Sequence, residues 1–294
     1  MNYIVIPAYQ PDNKLIKLIE RIHEKSNFHI LVIDDGSSSK CQNIFDKAEE
    51  YATVLRHQVN QGKGQALKTA FAYIQKQNSY GTVVTADADG QHKIWDIFRT
   101  ANKASENPNK LILGVRAFTG KVPLRSRFGN SLTKALFKLQ TGVGVTDTQT
   151  GLRAFTTNLI PFMLKIEGQR YEYEMNMLLE ASKEYQILEV PIETVYINDN
   201  EGSHFRPIKD GLMIYKNIFK FALTSLSSFI VDYMVYALAL LFLAAAPTSL
   251  RILLANGIAR VTSSVFNYST NKKLVFKNDD SVLKTGTSYF SLAL

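Results

Sequence analysis

Three short apolar runs early in the chain each stop at a polar cluster, and this repetition constrains the fold more than any other feature. Tyr3-Ile4-Val5-Ile6 gives way to Pro7-Ala8-Tyr9, Ile30 to Ile33 gives way to Asp34-Asp35-Gly36-Ser37-Ser38, and Val83-Val84-Thr85-Ala86 gives way to Asp87-Ala88-Asp89-Gly90-Gln91-His92. Runs of β-favouring residues bounded by turn formers read as buried strands. Between them the spacing turns helical: Leu15, Leu18, Ile19 and Ile22 recur on one face of a segment from about Asn13 to Lys25. Thr53 to Arg56 reads as a further short strand, and Asn60-Gln61-Gly62-Lys63-Gly64-Gln65-Ala66 opens a helix to about Gln77. Strands alternating with helices predict an α/β fold with a mainly parallel sheet. Such sheets bind ligands at the carboxyl ends of their strands, so the three clusters converge on one edge.

Each cluster has a chemical and a plainer reading. Asp87 and Asp89 stand two apart at a strand end and point the same way. Both can reach one hard cation, or one can hold the cation and the other a sugar hydroxyl; a turn built from Asp and Gly is the alternative. Asp34-Asp35-Gly36-Ser37 can accept hydrogen bonds from a base or a ribose, or can cap a helix. Gly62-Lys63-Gly64 offers close backbone approach, helix N-terminal amides and a cation to a diphosphate, or simply starts a helix. It is neither a Walker A loop nor a dinucleotide fingerprint, because Leu67 occupies the place of the third glycine.

The chain has 294 residues and a formal net charge of +8, which suits phosphate-rich partners. A single cysteine, Cys41, excludes an internal disulfide framework and a cysteine metal cluster. Strand-like residues begin almost at Met1 with no basic leader before them, which places the expected catalytic part in the cytosol.

The motifs Val32-Ile33-Asp34-Asp35-Gly36-Ser37, Asn60-Gln61-Gly62-Lys63-Gly64 and Asp87-Ala88-Asp89-Gly90-Gln91-His92 together resemble family 2 glycosyltransferases. The nearest branch is that of dolichol-phosphate mannosyltransferase and the bacterial polyprenyl-phosphate glycosyltransferases, and the likeness runs from Tyr3 to about Ile214. It implies a GT-A fold, a nucleotide-sugar donor, Mg²⁺ or Mn²⁺, and inversion at the anomeric carbon. Pro7, Ala8, Tyr9, Asp34, Asp35, Lys63 and Asp87 would then line the nucleotide-sugar site, and Asp89 with Asp87 or Gln91 would hold the metal. Arg116, at the end of the strand-like run Leu111 to Val115, would face the donor diphosphate or the acceptor phosphate. Asp147, in Asp147-Thr148-Gln149-Thr150-Gly151-Leu152-Arg153, resembles the acceptor-side acid, which orients the acceptor or acts as base; capping a turn is its plainer role. Tyr171-Glu172-Tyr173-Glu174 precedes a helix from Met175 to Glu184; its two acids either shape the sugar pocket or serve the helix dipole. Val190 to Tyr196 reads as an edge strand.

Leu124, Phe128, Leu132, Leu136 and Leu139 share a helical face interspersed with Arg125, Arg127, Lys134 and Lys138. That segment either covers the core or lies in a membrane interface near a lipid acceptor. Arg127 and Arg206 would offset the repulsion between two anionic substrates. Many relatives carry Ser-Lys where this chain has Ser203-His204; by that resemblance Arg206 would take over the acceptor-phosphate contact beside Ser203.

Phe221 to Ala246 is a largely apolar run interrupted by Asp232, and at 1.5 Å per residue it spans about 39 Å, enough to cross a bilayer with tilt. Leu250 to Thr270 is a weaker second span carrying Asn256, Arg260 and Asn267. Lys209, Lys216 and Lys220 precede the pair and Lys272, Lys273 and Lys277 follow it, which predicts an in-out-in hairpin with both ends cytosolic. Asp232 and Arg260 either pair inside a bundle or Arg260 snorkels to the interface. Asn267-Tyr268-Ser269-Thr270-Asn271-Lys272 resembles the GtrA-like membrane domain, usually of four spans; a third starts near Tyr289, so the tail looks like a truncated version whose missing partners a homo-oligomer would supply. The domain expectation is therefore a catalytic domain over 1–208, a juxtamembrane helix over 209–220 and a membrane region over 221–294.

The implied reaction moves a hexose from UDP-glucose or a related UDP-hexose to polyprenyl (undecaprenyl) phosphate at the cytosolic face, with no nucleic-acid partner. GDP-mannose as donor and a non-lipid hydroxyl as acceptor are the alternatives. A processive synthase would carry Q-x-x-R-W downstream, yet the only tryptophan is Trp95.

Overall fold

The strand register carries the three polar clusters to one edge of a seven-stranded sheet. The computed structural model describes residues 1–116, 134, 137, 138, 141–193 and 209–271. They form two units, Met1–Asp210 and Gly211–Leu294.

In the first unit the strands are β1 (Tyr3–Ala8), β2 (His29–Asp34), β3 (Thr53–Arg56), β4 (Thr82–Thr85), β5 (Lys110–Arg116), β6 (Arg153–Thr156) and β7 (Gln186–Ile192), in the spatial order β3-β2-β1-β4-β6-β5-β7. The helices are α1 (Lys14–Lys25), α2 (Gln42–Ala48), α3 (Lys63–Lys76), α4 (Ile94–Glu106), α5 (Ile160–Lys165) and α6 (Glu172–Glu184). The sheet is mainly parallel, as the alternation predicts, with β6 running antiparallel between β4 and β5.

Side chains alternate across the strands and feed two layers of helices. Ile4, Ile6 and Ala8 pack with Leu15, Ile19 and Ile22 of α1 and with Ile94, Ile97 and Ala101 of α4. On α3, Phe71 meets Phe155 of β6 edge to face, with ring centroids 5.3 Å apart. The Asp12 carboxylate accepts a 2.8 Å bond from the Lys14 amide, satisfying one free donor at the start of α1.

The register aligns the ends. Ala8 pairs with Asp34, and Val5 with Thr85. Because β6 is antiparallel, its first residue, Arg153, pairs with Thr85 at the end of β4. The edge therefore collects the ends of β2, β1, β4 and β5 and the beginning of β6. Strand β6 has no counterpart in the sequence reading, and two expected elements have other bounds. Helix α6 starts at Glu172 rather than Met175, and β7 starts at Gln186 and ends at Ile192. The expected amphipathic segment Leu124 to Thr141 lies largely outside the described residues.

The second unit holds helices α7 (Lys209–Phe242) and α8 (Thr248–Thr270). Polar side chains bridge them. Thr224 Oγ1 donates to Asn271 Oδ1 at 2.6 Å, Ser228 Oγ to the Ser263 carbonyl at 2.9 Å, and Ser263 Oγ to Asp232 Oδ1 at 2.8 Å. Arg260 Nη1 stands 3.8 Å from Asp232 Oδ2. Ala239, Ala255 and Ala259 are buried, while Phe229, Met234, Leu238, Leu253 and Val261 are exposed. Among the described residues, Leu223–Phe242 of α7 is the one stretch long and apolar enough to cross a membrane. Helix α8, the expected second span, is less apolar than α7, and the expected third span near Tyr289 lies outside the described residues.

Candidate active site

Lys63 is the first residue of α3 and sits at the centre of the edge. It follows Gly62, whose φ of +102° is left-handed and favours glycine. A Cβ on Gly62 would come 2.6 Å from the Gln169 carbonyl, so the loop before α6 packs directly on the start of α3. That loop accepts the Gln65 amide through Gln169 at 2.8 Å. Glu172 closes it by accepting the amides of Gln169 and Arg170 at 3.0 and 3.2 Å.

Two turns of chain therefore meet over one ammonium. Lys63 Nζ lies 2.8 Å from Asp87 Oδ1 and 2.9 Å from Glu174 Oε1. Burial by itself would lower the Lys63 pKa, but the two carboxylates outweigh it and hold it above the ordinary lysine range. Burial likewise would raise Asp87; Lys63 and then His92, whose Nε2 lies 3.4 Å away, hold it below the usual carboxylate range. Asp87 keeps 31% of its side chain exposed, so solvent moderates this pairing.

Asp89 has the opposite character. Burial, and next the charge of Asp87, raise its pKa. One oxygen accepts the Gln91 amide at 3.0 Å, and no ion pair among the described residues includes it. A carboxylate crowded by a second negative charge, with an oxygen that no bond among the described residues takes, is suited to a divalent cation. Mg²⁺-type sites draw one or two carboxylates and complete the shell with phosphate oxygens and water. Among the described residues no three His, Cys, Asp or Glu side chains gather as a metal cage.

The start of β6 packs against this cluster. A Cβ on Gly151 would come 2.4 Å from Asp87 Oδ2, so only glycine lets the backbone pass there undisturbed. Thr85 Oγ1 donates to the Gly151 carbonyl at 2.8 Å. Arg153 is 1% exposed; its Nε donates to the Thr150 carbonyl at 3.0 Å and its Nη1 to the carbonyl of Glu174. This guanidinium ties β6 to the first turn of α6.

The other expected residues fall into separate groups. Arg116 and Asp147 bind each other through two bonds, Nε to Oδ2 at 2.6 Å and Nη2 to Oδ1 at 3.0 Å. Asp147 is fully buried and also accepts the Gln149 amide at 3.0 Å. Asp35, 3% exposed, receives four donors: His57 Nδ1, the Gln61 amide, Asn60 Nδ2 and the Gly62 amide, at 2.8, 2.9, 3.0 and 2.8 Å. His57 is braced in turn by Thr69 at 2.9 Å. The Asp35 carboxylate thus holds the loop that leads to Lys63. Asp34 Oδ1 accepts the Ser37 amide at 2.8 Å. Pro7 and Ala8 end β1 beside Asp34, and Tyr9 follows at the surface. Arg127, Ser203 and Arg206 lie outside the described residues.

Sequence reasoning did not pair Glu174 with Lys63, and it gave no role to His57, Asn60 or Arg153. The available signal was an arginine directly after Gly151-Leu152 at the head of a strand: a charge there is buried only if it has carbonyls to bind.

The Glycosyl transferase family 2 profile matches residues 3–163, more than half of the chain. This chain belongs to that family. A second match, GtrA/DPMS, transmembrane domain, covers residues 220–294. The family 2 transferase is 29% identical over 217 residues to UDP-N-acetylglucosamine--dolichyl-phosphate N-acetylglucosaminyltransferase of Methanococcus voltae, spanning 66% of this chain and 85% of the relative. It is 26% identical over 249 residues to dolichyl-phosphate beta-glucosyltransferase of Saccharomyces cerevisiae, spanning 73% and 72%. Among solved structures, glucosyl-3-phosphoglycerate synthase of Mycobacterium tuberculosis, in complex with Mn²⁺, UDP and glucosyl-3-phosphoglycerate, superposes with a TM-score of 0.55 at 16% identity, over 75% of this chain and 77% of that one. This likeness establishes the GT-A fold. The chain is thus a glycosyltransferase with a GT-A catalytic unit and a membrane domain of the GtrA/DPMS type.

Proposed function

We propose that the transferase moves a hexose from a nucleotide-diphosphate sugar, UDP-glucose or a related UDP-hexose, to polyprenyl phosphate at the cytosolic face of a membrane. The observation that carries this reading is Asp89: a carboxylate that accepts one amide and, among the described residues, joins no ion pair, beside the Lys63–Asp87 ion pair at the ligand edge of the sheet. The relatives named above act on dolichyl phosphate, and the apolar helix α7 suits a lipid acceptor.

A bound Mg²⁺ or Mn²⁺, held by Asp89 with Asp87 or Gln91, would neutralise the departing diphosphate. Lys63 supplies pre-placed positive charge beside that leaving group. Asp147 orients Arg116, which meets a phosphate of the donor or acceptor. The acceptor phosphate is already an anion, so its attack needs little help from a base. Arg127, Ser203 and Arg206 are assigned to the acceptor phosphate. Helices α7 and α8 form an in-out-in hairpin with their lysine-flanked ends cytosolic. Arg260, 76% exposed, calls for cover within a bilayer, which a second copy of the chain supplies; monodisperse monomers in both detergent and bilayers would contradict that part.

Membranes containing the full chain are offered labelled UDP-glucose, UDP-galactose, UDP-N-acetylglucosamine or GDP-mannose with undecaprenyl phosphate and Mg²⁺ or Mn²⁺. Chelator-sensitive label from a UDP-hexose in the organic-extractable lipid is expected. Label from GDP-mannose alone would replace the donor, and label only on water-soluble products would replace the acceptor.

A further inference from the structure

Glu174 reaches the edge from the first turn of α6, and the reaction outlined above gives it no part. Its Oε1 lies 2.9 Å from Lys63 Nζ and its side chain is 13% exposed. Its place is fixed through the backbone, because buried Arg153 donates to its carbonyl and Glu172 closes the preceding loop. The Lys63 ammonium has three N–H donors. Asp87 and Glu174 take two of them from different directions. A lysine head on a flexible four-carbon stem is a mobile point charge unless more than one partner holds it.

We propose that Glu174 is a positioning residue for the donor: it and Asp87 clamp the Lys63 ammonium from two sides, so that the remaining N–H is presented to a diphosphate oxygen. This rests on the nucleotide-sugar reading. The plainer role of Glu174, a carboxylate offsetting the dipole at the start of α6, does not involve Lys63. The two roles therefore differ in how substitutions at residues 63 and 174 combine.

The test is calorimetric titration of the full-length protein in detergent with UDP and with GDP, Mg²⁺ present throughout. Wild type, Lys63→Ala, Glu174→Ala, Glu174→Gln and the Lys63→Ala/Glu174→Ala double variant are compared, with a melting curve for each. Glu174→Ala should weaken binding of the nucleotide that wild type prefers roughly tenfold, the scale of one lost charge-assisted hydrogen bond. The double variant should bind no more weakly than Lys63→Ala alone. Glu174→Gln keeps an oxygen acceptor and should bind within about threefold of wild type. Additive losses in the double variant, or wild-type affinity in Glu174→Ala, would overturn the proposal while leaving the nucleotide-sugar reading standing. Failure of wild type to bind either nucleotide would overturn both.

Discussion

Asp35 and Asp89 are acids just beyond the ends of β2 and β4, the two strands that flank β1, yet their surroundings give them opposite tasks. Asp35 accepts four protein donors and is saturated; Asp89 accepts one amide and faces the charge of Asp87. Replacing Asp35 by Asn removes the charge and turns an acceptor oxygen into a donor facing N–H groups. With charge-assisted bonds lost in a buried site, the cost is about 3 kcal/mol. Thermal unfolding of the full chain should then begin roughly 6–12 °C lower; an unchanged melting curve would mean that the Asn60–Gly62 loop is held by other contacts. That these positions are acidic and sit at strand ends was legible in the sequence. Which acid is saturated was not, because the partners of Asp35 come from His57 and the loop at Asn60, and a one-dimensional motif does not show which donors fold back onto it.

At the scale of elements, the antiparallel strand β6 does most to shape the edge. It brings Gly151 against Asp87 and Arg153 beneath the start of α6. Gly151→Ala would place a Cβ 2.4 Å from Asp87 Oδ2, and Lys63 already holds the other oxygen of that carboxylate at 2.8 Å. Asp87 must shift, and a displacement of this size at a reacting centre lowers transfer roughly a hundredfold. The expected outcome is a folded, membrane-integrated variant whose labelled-lipid product falls by about that factor; normal turnover would show that Asp87 has room to move. The parallel strands were legible because each is an apolar run ended by a turn. Strand β6 was not, because Arg153-Ala154-Phe155-Thr156 is short, begins with a charge and shows no clean alternation. Helix α6 was misjudged at its start for a related reason: Glu172 caps its own loop, a role that apolar periodicity does not record.

For the whole molecule, the sequence divides a catalytic chemistry from an apolar tail, and the chain forms two units, Met1–Asp210 and Gly211–Leu294. The apolar run was legible by length alone and Asp232 with Arg260 by charge, whereas the bonds from Thr224 to Asn271 and from Ser228 to Ser263 required the fold. Met234 is 57% exposed near the middle of the apolar stretch of α7. Met234→Arg should cost about 2.5–3.5 kcal/mol of membrane insertion. Carbonate extraction should release more of this variant than of wild type; equal retention would mean that this face does not meet lipid. The proposed role of Asp89 is in transfer to a lipid, not in the fold. It is tested most directly by comparing wild-type and Asp89→Ala membranes, matched for protein content, for chelator-sensitive label passing from a nucleotide-hexose into undecaprenyl phosphate. Labelled lipid is expected from wild type and none from Asp89→Ala, with both proteins equally retained in the membrane. Equal labelling by the two would contradict it.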